Sequence, residues 1–313
     1  MSIDLSVIIP VYNESENVDD ICKSLDEYLG TVPFSCEIVF VDDGSSDHSV
    51  ALIKEQSFQN TAVKLVTLSR NFGSHAAMRA GSRCASSDNC MFYFMDMRIP
   101  EIIGEFYEKL REGYDIVYGL RGGYKESFAS KTFSKLMRKH IAPDYPREGI
   151  GCFAFNGKVK AELNRNVETN SSIYLQLFNM GFCKAFVPYE AGEREKGVSK
   201  WTFRKKLKLF IDSYVAFSHT PIRAVTLLGM ILAIVGIIYA IAIIIIKLFN
   251  IIPLAAGWPT LISVILICSG VTNLSIGVIA EYIWRTLDAA RGRPVFIIDE
   301  EISIHEIQEK NHS

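Results

Sequence analysis

The chain has 313 residues, among them 33 lysines and arginines and 35 aspartates and glutamates, and its formal net charge is −2. This balance gives no general attraction to nucleic acid, so a nucleic-acid partner is not expected. The seven cysteines are an odd number and include no CxxC pair, which is typical of a reduced domain with free thiols and excludes a disulfide-stapled scaffold.

Short apolar segments alternate with helical patterns in the first hundred residues. The predicted strands are an opening segment that ends at Pro10 and the ranges 37–41, 64–68 and 91–95. The predicted helices are 18–29, 49–56 and 76–85. Strands that are apolar throughout and alternate with helices favour a mostly parallel sheet with helices on both faces, so we predict an α/β fold.

Polar residues follow four of these strands, at the point where each apolar segment ends. They are Asn13 and Glu14, Asp42 and Asp43, Arg70 and Asn71, and Asp96. Ligands of parallel α/β sheets bind beyond the carboxyl ends of the strands, which lie at one edge of the sheet. We therefore expect these residues to meet at one rim and to form a ligand site.

The acidic pair Asp42-Asp43 indicates the kind of ligand. Two carboxylates repel a phosphate, but they accept hydrogen bonds from ribose hydroxyls or from the N–H groups of a base. Pro10, Tyr12 and Glu14 are predicted to complete a nucleoside pocket, in which the ring of Tyr12 stacks on the base. The sequence has no GxGxxG or P-loop motif. The alternative is that Asp42 only caps the helix that follows it.

Two later segments, 127–141 and 203–217, combine aromatic and aliphatic residues with lysines and arginines at helical spacing. A basic amphipathic helix next to a membrane span favours a position in the lipid headgroup layer. We predict this position for the second segment. For the first segment, packing on the sheet and binding to headgroups are both open.

Two uncharged apolar runs, 224–246 and 259–280, follow. Each has the roughly 20 residues that cross a hydrocarbon core about 30 Å thick, so we predict a transmembrane hairpin. Lysines and arginines precede the first run and follow the second, whereas Lys247 is the one basic residue between them. By the positive-inside rule, both termini face the cytoplasm. The opening residues do not have the pattern of a signal peptide, so the large N-terminal part is expected in the cytosol.

Four segments of the chain resemble glycosyltransferase family 2: SVIIPVYNESENV, VDDGSSD, SRNFGSHAAMRAG and EGYDIVYGLR. The resemblance continues in order through REKGVSKW, the second amphipathic segment, the two apolar runs and RGRPVFIIDE, so that it covers Leu5 to Asp299. This complete order is similar to that of the polyprenyl-phosphate glycosyltransferases, which include dolichyl-phosphate mannose synthases and bactoprenol glucosyltransferases. It implies the GT-A nucleotide-sugar-binding fold in an integral protein of the bacterial inner (plasma) membrane.

The resemblance also implies an activity. The expected reaction is the inverting transfer of a hexose, with glucose as the first candidate, from a UDP-linked sugar to undecaprenyl phosphate at the cytoplasmic membrane face. A GDP-linked donor is the alternative nucleotide. Two other functions are open: a catalytically degraded member that acts as a membrane nucleotide-sugar-binding or scaffold protein, and a transferase for another acceptor, such as a glycan or diacylglycerol. A homo-oligomer is also open.

Roles for individual residues follow from the same resemblance. The residues expected to bind the donor nucleotide are Pro10, Tyr12, Glu14, Asp42, Asp43, Arg70 and Asn71. The residues expected to bind the acceptor phosphate are Arg194, Lys200, Arg204 and Lys205. For these four, general attraction to anionic lipid is the alternative role. Asp96 and Arg98 are expected at the catalytic centre.

The metal site departs from the family pattern. Related enzymes carry Asp-x-Asp after the fourth strand, and its two acids hold Mg²⁺ or Mn²⁺ against the departing diphosphate. This chain reads Asp96-Met97-Arg98, and about two residues are missing before Pro100. A Gly-Asp-Phe-Arg-like stretch of the family is also altered, which leaves Glu148 as the nearest carboxylate. The altered pattern suggests either that Arg98 takes over part of the work of the metal or that the donor site is degraded.

The predicted domains follow this order. They are a cytosolic GT-A domain (1–200), a juxtamembrane amphipathic helix (201–222), two transmembrane helices (223–284) and a cytosolic tail (285–313).

Overall fold

The computed structural model describes residues 3–122, 135, 138–139, 143–146, 149–166, 172–190, 220–249 and 257–304. The chain forms two compact units. The first comprises Met1–Phe210 together with Pro294–Ser313, and the second comprises Ile211–Arg293.

Strands and helices alternate along the first unit. The strands are β1 (Leu5–Val11), β2 (Cys36–Asp42), β3 (Ala62–Leu68), β4 (Cys90–Phe92), β5 (Ile116–Gly122), β6 (Gly149–Phe155), β7 (Lys184–Glu190) and β8 (Ile298–Ser303). The helices of this unit are α1 (Val18–Leu29), α2 (Ser49–Glu55), α3 (Ser74–Cys84), α4 (Ile102–Arg111), α5 (Gly157–Arg165) and α6 (Ile173–Asn179). The helices of the second unit are α7 (Thr220–Leu248) and α8 (Trp258–Ala290).

The strands of the first unit form one sheet in the order β7-β5-β6-β4-β1-β2-β3-β8. Strand β1 lies parallel to β2 and β4, β2 lies parallel to β3, and β5 lies parallel to β7. Strand β6 runs antiparallel to β4 and β5. The mostly parallel α/β sheet predicted from the sequence is therefore confirmed, and the strand ends that carry polar residues belong to four neighbouring strands, β4-β1-β2-β3.

The apolar strands are explained by a core on both faces of the sheet. Val7 and Ile9 of β1 belong to the cluster that α1, α2 and α4 cover. Ile8, between them, belongs to the cluster that α3, α5 and α6 cover. Because successive side chains of a strand point to opposite faces, a strand with a helix layer on each side must be apolar throughout.

The far edge of the sheet differs from the sequence prediction, which treated residues 285–313 as a tail. Ile298–Ser303 forms β8 and pairs antiparallel with β3. Its three consecutive acids, Asp299 to Glu301, are exposed, and Glu300 lies 3.5 Å from the ammonium group of Lys54. An edge strand whose middle consists of three exposed acids has no apolar run, which is why the sequence pattern did not reveal it.

The second unit contains the two predicted apolar runs as long helices. Windows of α7 (Ile222–Tyr239) and α8 (Ile267–Asp288) have mean hydropathies of 2.2 and 1.2, and none of either window is buried. Both helices are long and apolar enough to cross a membrane, and their large apolar side chains face outward. The amphipathic segment 203–217 lies outside the described residues, as does most of 127–141.

Candidate functional site

Backbone and side-chain hydrogen bonds join the loops after β1 and β2. The Asn13 N–H donates to Ser45 Oγ at 2.9 Å, and Asn13 Oδ1 accepts from the Ser46 N–H at 2.8 Å. Asn13 has φ 51°, a left-handed conformation that asparagine tolerates better than most residues. The Ser15 N–H donates to the Asp47 carboxylate at 3.1 Å. No role for these serines or for Asp47 was predicted from the sequence, yet they hold the two loops together.

Asp43 joins the loop after β3 to the same rim. Its two carboxylate oxygens accept the N–H groups of Phe72, at 2.7 Å, and Gly73, at 2.9 Å. Gly44 has φ +70°, and a Cβ there would lie 2.7 Å from backbone atoms of Arg70 and Asn71. Only glycine therefore lets the loop after β2 pack this closely against the loop after β3. The predicted meeting of polar strand ends is thus observed for β1, β2 and β3.

The acidic pair is buried and largely occupied with backbone contacts. Asp42 is 4% exposed and accepts the Ser45 N–H, and Asp43 is 3% exposed. Burial raises the pKa of Asp43, an effect that the hydrogen bonds from Phe72 and Gly73 oppose without cancelling. Asp43 therefore holds the loop after β3 in place, a role that its position in the sequence does not reveal.

The other predicted nucleotide-binding residues are more open. Tyr12 is 38% exposed, and Arg70 and Asn71 are exposed. The Arg70 guanidinium lies 4.8 Å from the centre of the Phe72 ring. The Glu14 carboxylate accepts the side-chain N–H of Asn17 at 2.7 Å.

A second group of residues surrounds the predicted catalytic centre. Asp96 and Arg98 line a small cavity with residues from β5, β6 and β7; the full lining is Phe94, Asp96, Met97, Arg98, Ile99, Arg121, Gly151 and Tyr189. Arg121 and Tyr189 are register partners of the parallel strands β5 and β7. A Cβ on Gly151 would lie 1.6 Å from the Tyr189 hydroxyl, so this glycine makes room for the tyrosine.

Electrostatic interactions tie these groups together. Burial is the main cause that raises the pKa of Tyr189, and the charges of Asp96 and Arg121 act on the same hydroxyl in opposite directions. The Arg98 guanidinium lies 3.6 Å from the Asp20 carboxylate of α1, and both side chains are partly exposed. Arg121 lies within the segment EGYDIVYGLR, but no feature of the sequence predicted a role for it or for Tyr189.

Comparison with known proteins identifies the family. The sequence model of one protein family, Glycosyl transferase family 2, matches residues 6–186. The chain belongs to glycosyl transferase family 2.

Relatives within this family match over nearly the whole chain. The uncharacterized glycosyltransferase YkcC of Bacillus subtilis is 33% identical over 308 residues, which are 96% of this chain and 95% of that protein. The undecaprenyl-phosphate 4-deoxy-4-formamido-L-arabinose transferase of Proteus mirabilis is 28% identical over 309 residues, 96% of this chain and 94% of that protein. This chain is therefore a glycosyltransferase.

A solved structure supports the GT-A-like fold. Glucosyl-3-phosphoglycerate synthase from Mycobacterium tuberculosis, in complex with Mn²⁺, uridine diphosphate and phosphoglyceric acid, is similar with a TM-score of 0.50 and 15% identity. The similarity covers 68% of this chain and 76% of that protein.

The residues of this family 2 member do not fit a divalent metal. Asp96 offers one carboxylate, and the next charged residue is the cation Arg98. Within the described ranges, no three His, Cys, Asp or Glu side chains are grouped so that they could hold an ion. A doubly charged ion and a guanidinium about 5 Å apart repel each other by about 7 kcal/mol at an effective dielectric constant of about 20. The donor set at Asp96 is therefore a poor match for Mg²⁺ or Mn²⁺.

A buried arginine behind the rim was also missed. Arg79 of α3 is 4% exposed; it donates to the Leu163 carbonyl at 2.8 Å and also to the Gln176 side chain. Burial and the nearby Arg79 charge lower the pKa of His75 to about 4, and His75 Nδ1 accepts the Ile173 N–H at 3.4 Å. This network connects α3 to α5 and α6.

The predicted acceptor residues Arg194, Lys200, Arg204 and Lys205 lie outside the described residues, as does Glu148. Their roles stay predictions.

Proposed function

We propose that this glycosyltransferase transfers a hexose from a UDP-linked sugar to undecaprenyl phosphate at the cytoplasmic face of the membrane, with inversion. Glucose is the first candidate for the sugar. One observation carries the proposal: a single chain combines a rim of three interlinked polar loops with two helices long and apolar enough to span a membrane. A lipid acceptor stays in the bilayer, so helices that span the membrane would hold the enzyme beside it.

The rim residues suit a nucleoside. The exposed ring of Tyr12 is available to stack on a base, and the second lone pairs of the Asp42 and Asp43 oxygens can accept from ribose or base donors. The exposed Arg70 can approach the diphosphate. The similarity to an undecaprenyl-phosphate sugar transferase over 96% of the chain supports the choice of acceptor.

The proposed reaction needs no general base. An oxygen of the lipid phosphate forms a bond to the anomeric carbon while the bond from that carbon to the donor diphosphate breaks, and the electron pair leaves with UDP. The lipid phosphate is already anionic, so no proton has to be removed. Attack from the face opposite UDP inverts the anomeric configuration.

The proposed arrangement at the membrane follows from charge. Both termini face the cytoplasm, residues 1–200 form the cytosolic catalytic part, 201–222 lie at the headgroups and 223–284 span the bilayer. The basic residues Arg194, Lys200, Arg204 and Lys205 bind the acceptor phosphate from the cytosolic side.

The test uses full-length protein in lipid nanodiscs with labelled UDP-glucose, UDP-N-acetylglucosamine or GDP-mannose, each with undecaprenyl phosphate or diacylglycerol. Label that enters the lipid phase only with undecaprenyl phosphate supports the proposal.

Two variants sharpen the test. We expect Asp43→Asn to lose this activity. Asp88 is an exposed acid just before β4, and we expect Asp88→Asn to keep the activity. Transfer to diacylglycerol alone would identify another acceptor. Nucleotide-sugar binding without transfer to any acceptor would favour a scaffold, and no binding would overturn the proposal.

A further inference from the structure

The cavity beside Asp96 contains more positive than negative charge. Its lining includes one carboxylate, Asp96, and two guanidinium groups, Arg98 and Arg121. In an Asp-x-Asp site, two carboxylates and one divalent ion sum to zero. Here the three side chains sum to +1, and to zero when Asp20, the ion-pair partner of Arg98, is counted, so the site carries two guanidinium groups without a divalent ion.

We propose that this enzyme does not use a divalent cation for sugar transfer, and that Arg98 and Arg121 together neutralise the departing diphosphate. This inference rests on the proposed function, because it assumes a nucleotide diphosphate-sugar donor. Arginine suits the task because it stays charged at every relevant pH and binds phosphate oxygens with two parallel hydrogen bonds. Electrostatic stabilisation of a leaving group is a role that fixed cations perform in other enzymes.

The fold fixes the backbone of Arg121. It lies near the carboxyl end of β5, between register partners on both sides: Gly149 of β6 and Tyr189 of β7. The side chain of Tyr189 fills the space over Gly151 and borders the same cavity. The backbone of Arg121 thus belongs to the sheet itself.

Arg98 is held less firmly, which suits a group that must follow the leaving phosphate. Its contact with Asp20 spans 3.6 Å, and the two side chains are 38% and 60% exposed. Ion pairs this exposed contribute little to stability. Arg98 lines a second cavity on the Asp20 side as well as the cavity that contains Asp96. The exposed contact with Asp20 is therefore one that a phosphate can replace.

The first experiment compares metal-free and metal-loaded enzyme. Full-length protein in nanodiscs is assayed for UDP binding by calorimetry, for Mn²⁺ binding by electron paramagnetic resonance and for sugar transfer, in EDTA and with added Mn²⁺. We expect the wild-type protein to bind UDP equally in both conditions, within a factor of about two, and to retain turnover in EDTA. Turnover that EDTA abolishes and Mn²⁺ restores would overturn the inference.

The second experiment changes Arg98. Arg98→Gln should reduce turnover in EDTA by about 10²- to 10³-fold, as expected for the loss of one group that stabilises developing charge. Arg98→Asp recreates Asp-x-Asp and should suffer the same loss in EDTA, but should bind Mn²⁺ in the presence of UDP, which weakens the resonance signal of free Mn²⁺. Arg83→Gln, at an exposed position of α3, is the matched control and should behave as wild type. Full activity of Arg98→Gln, or Mn²⁺ binding by the wild-type protein equal to that of Arg98→Asp, would contradict the inference.

The outcomes separate this inference from the proposed function. If UDP does not bind in the presence of either EDTA or Mn²⁺, the inference and the proposed function both fail. If UDP binds and the sugar is transferred only with Mn²⁺, the proposed function stands and the role of the two arginines fails. Thermal melting of each variant identifies those that do not fold, and the wild-type comparison in EDTA tests the inference without any variant.

Discussion

The Asp43 carboxylate accepts the backbone N–H of Phe72 at 2.7 Å, and so fixes the loop after β3 to the end of β2. Its second oxygen accepts the Gly73 N–H at 2.9 Å. The residue that sequence reasoning assigned to the nucleotide therefore also determines where the neighbouring loop lies. A substitution at Asp43 should change both the nucleotide site and the shape of the rim.

Asp43→Asn should weaken both properties. An amide presents one acceptor oxygen and one donor nitrogen, so it cannot accept the N–H groups of both Phe72 and Gly73. The loss of a hydrogen bond to a charged acceptor should lower the free energy of unfolding by about 1.5–3 kcal/mol and should weaken UDP binding about tenfold or more. Denaturant titration and calorimetry measure the two effects. Unchanged UDP affinity would show that the rim does not bind the nucleotide.

Asp47 should make the stability of the protein depend on pH in the acidic range. Burial alone would raise the pKa of Asp47, but hydrogen bonds from Ser49 and Ser15 lower it below its ordinary value. A carboxyl with a lowered folded-state pKa stabilises the protein above its unfolded pKa of about 3.9, and this contribution is lost as pH falls through the folded value. Asp47→Asn should therefore be less stable than wild type near neutral pH, by roughly 1–2 kcal/mol, with the difference shrinking in acid. Parallel stability curves for the two proteins, measured by denaturation across pH, would refute this role.

Gly151→Ala should destabilise the protein through Tyr189. The added methyl group would overlap the tyrosine hydroxyl, because the two atoms would lie 1.6 Å apart. Forced repacking of this kind costs about 1–3 kcal/mol. In a Tyr189→Ala background the same change should cost much less, and the double-mutant cycle measures this coupling. Additive effects of the two substitutions would mean that the contact is unimportant.

Arg79→Met should destabilise the protein far more than Arg83→Met on the same helix. Arg79 is buried, and its removal takes one hydrogen-bond donor from the Leu163 carbonyl and one from the Gln176 side chain. Each buried polar group left unsatisfied costs roughly 1–3 kcal/mol. Because Arg83 is exposed, Arg83→Met should change the free energy of unfolding by no more than about 0.5 kcal/mol.

A second measurement separates charge from packing at Arg79. The pKa of His75, which burial and Arg79 lower to about 4, should rise in Arg79→Met, because one positive charge is removed. Imidazole resonances followed by NMR would report this shift. An unchanged His75 pKa would show that burial alone determines it.

The sequence was most informative where a pattern is local. Helix α1 occupies 18–29 as predicted, and the apolar strands form the centre of the sheet, because each of these elements is encoded by its own periodicity. The clustering of polar strand ends could also be predicted from the sequence, because parallel strands place their carboxyl ends at one edge of the sheet.

Contacts between distant segments could not be predicted. Arg121 and Tyr189 are 68 positions apart, and only the register of β5 and β7 brings them together. Arg79 looks like a surface residue in sequence, because its burial depends on α5 and α6 folding over it. Asp43 was recognised as important, but its bonds to Phe72 and Gly73 depend on how two loops pack.

Strand β8 has a practical consequence for anyone who wishes to study the first unit without the two apolar helices. The sheet is completed by residues that come after the two apolar helices in the chain, so a fragment cut before α7 would leave one side of β3 without hydrogen-bond partners and prone to aggregation. A water-soluble version should instead remove the apolar helices from the middle and rejoin the acidic strand through a short flexible linker.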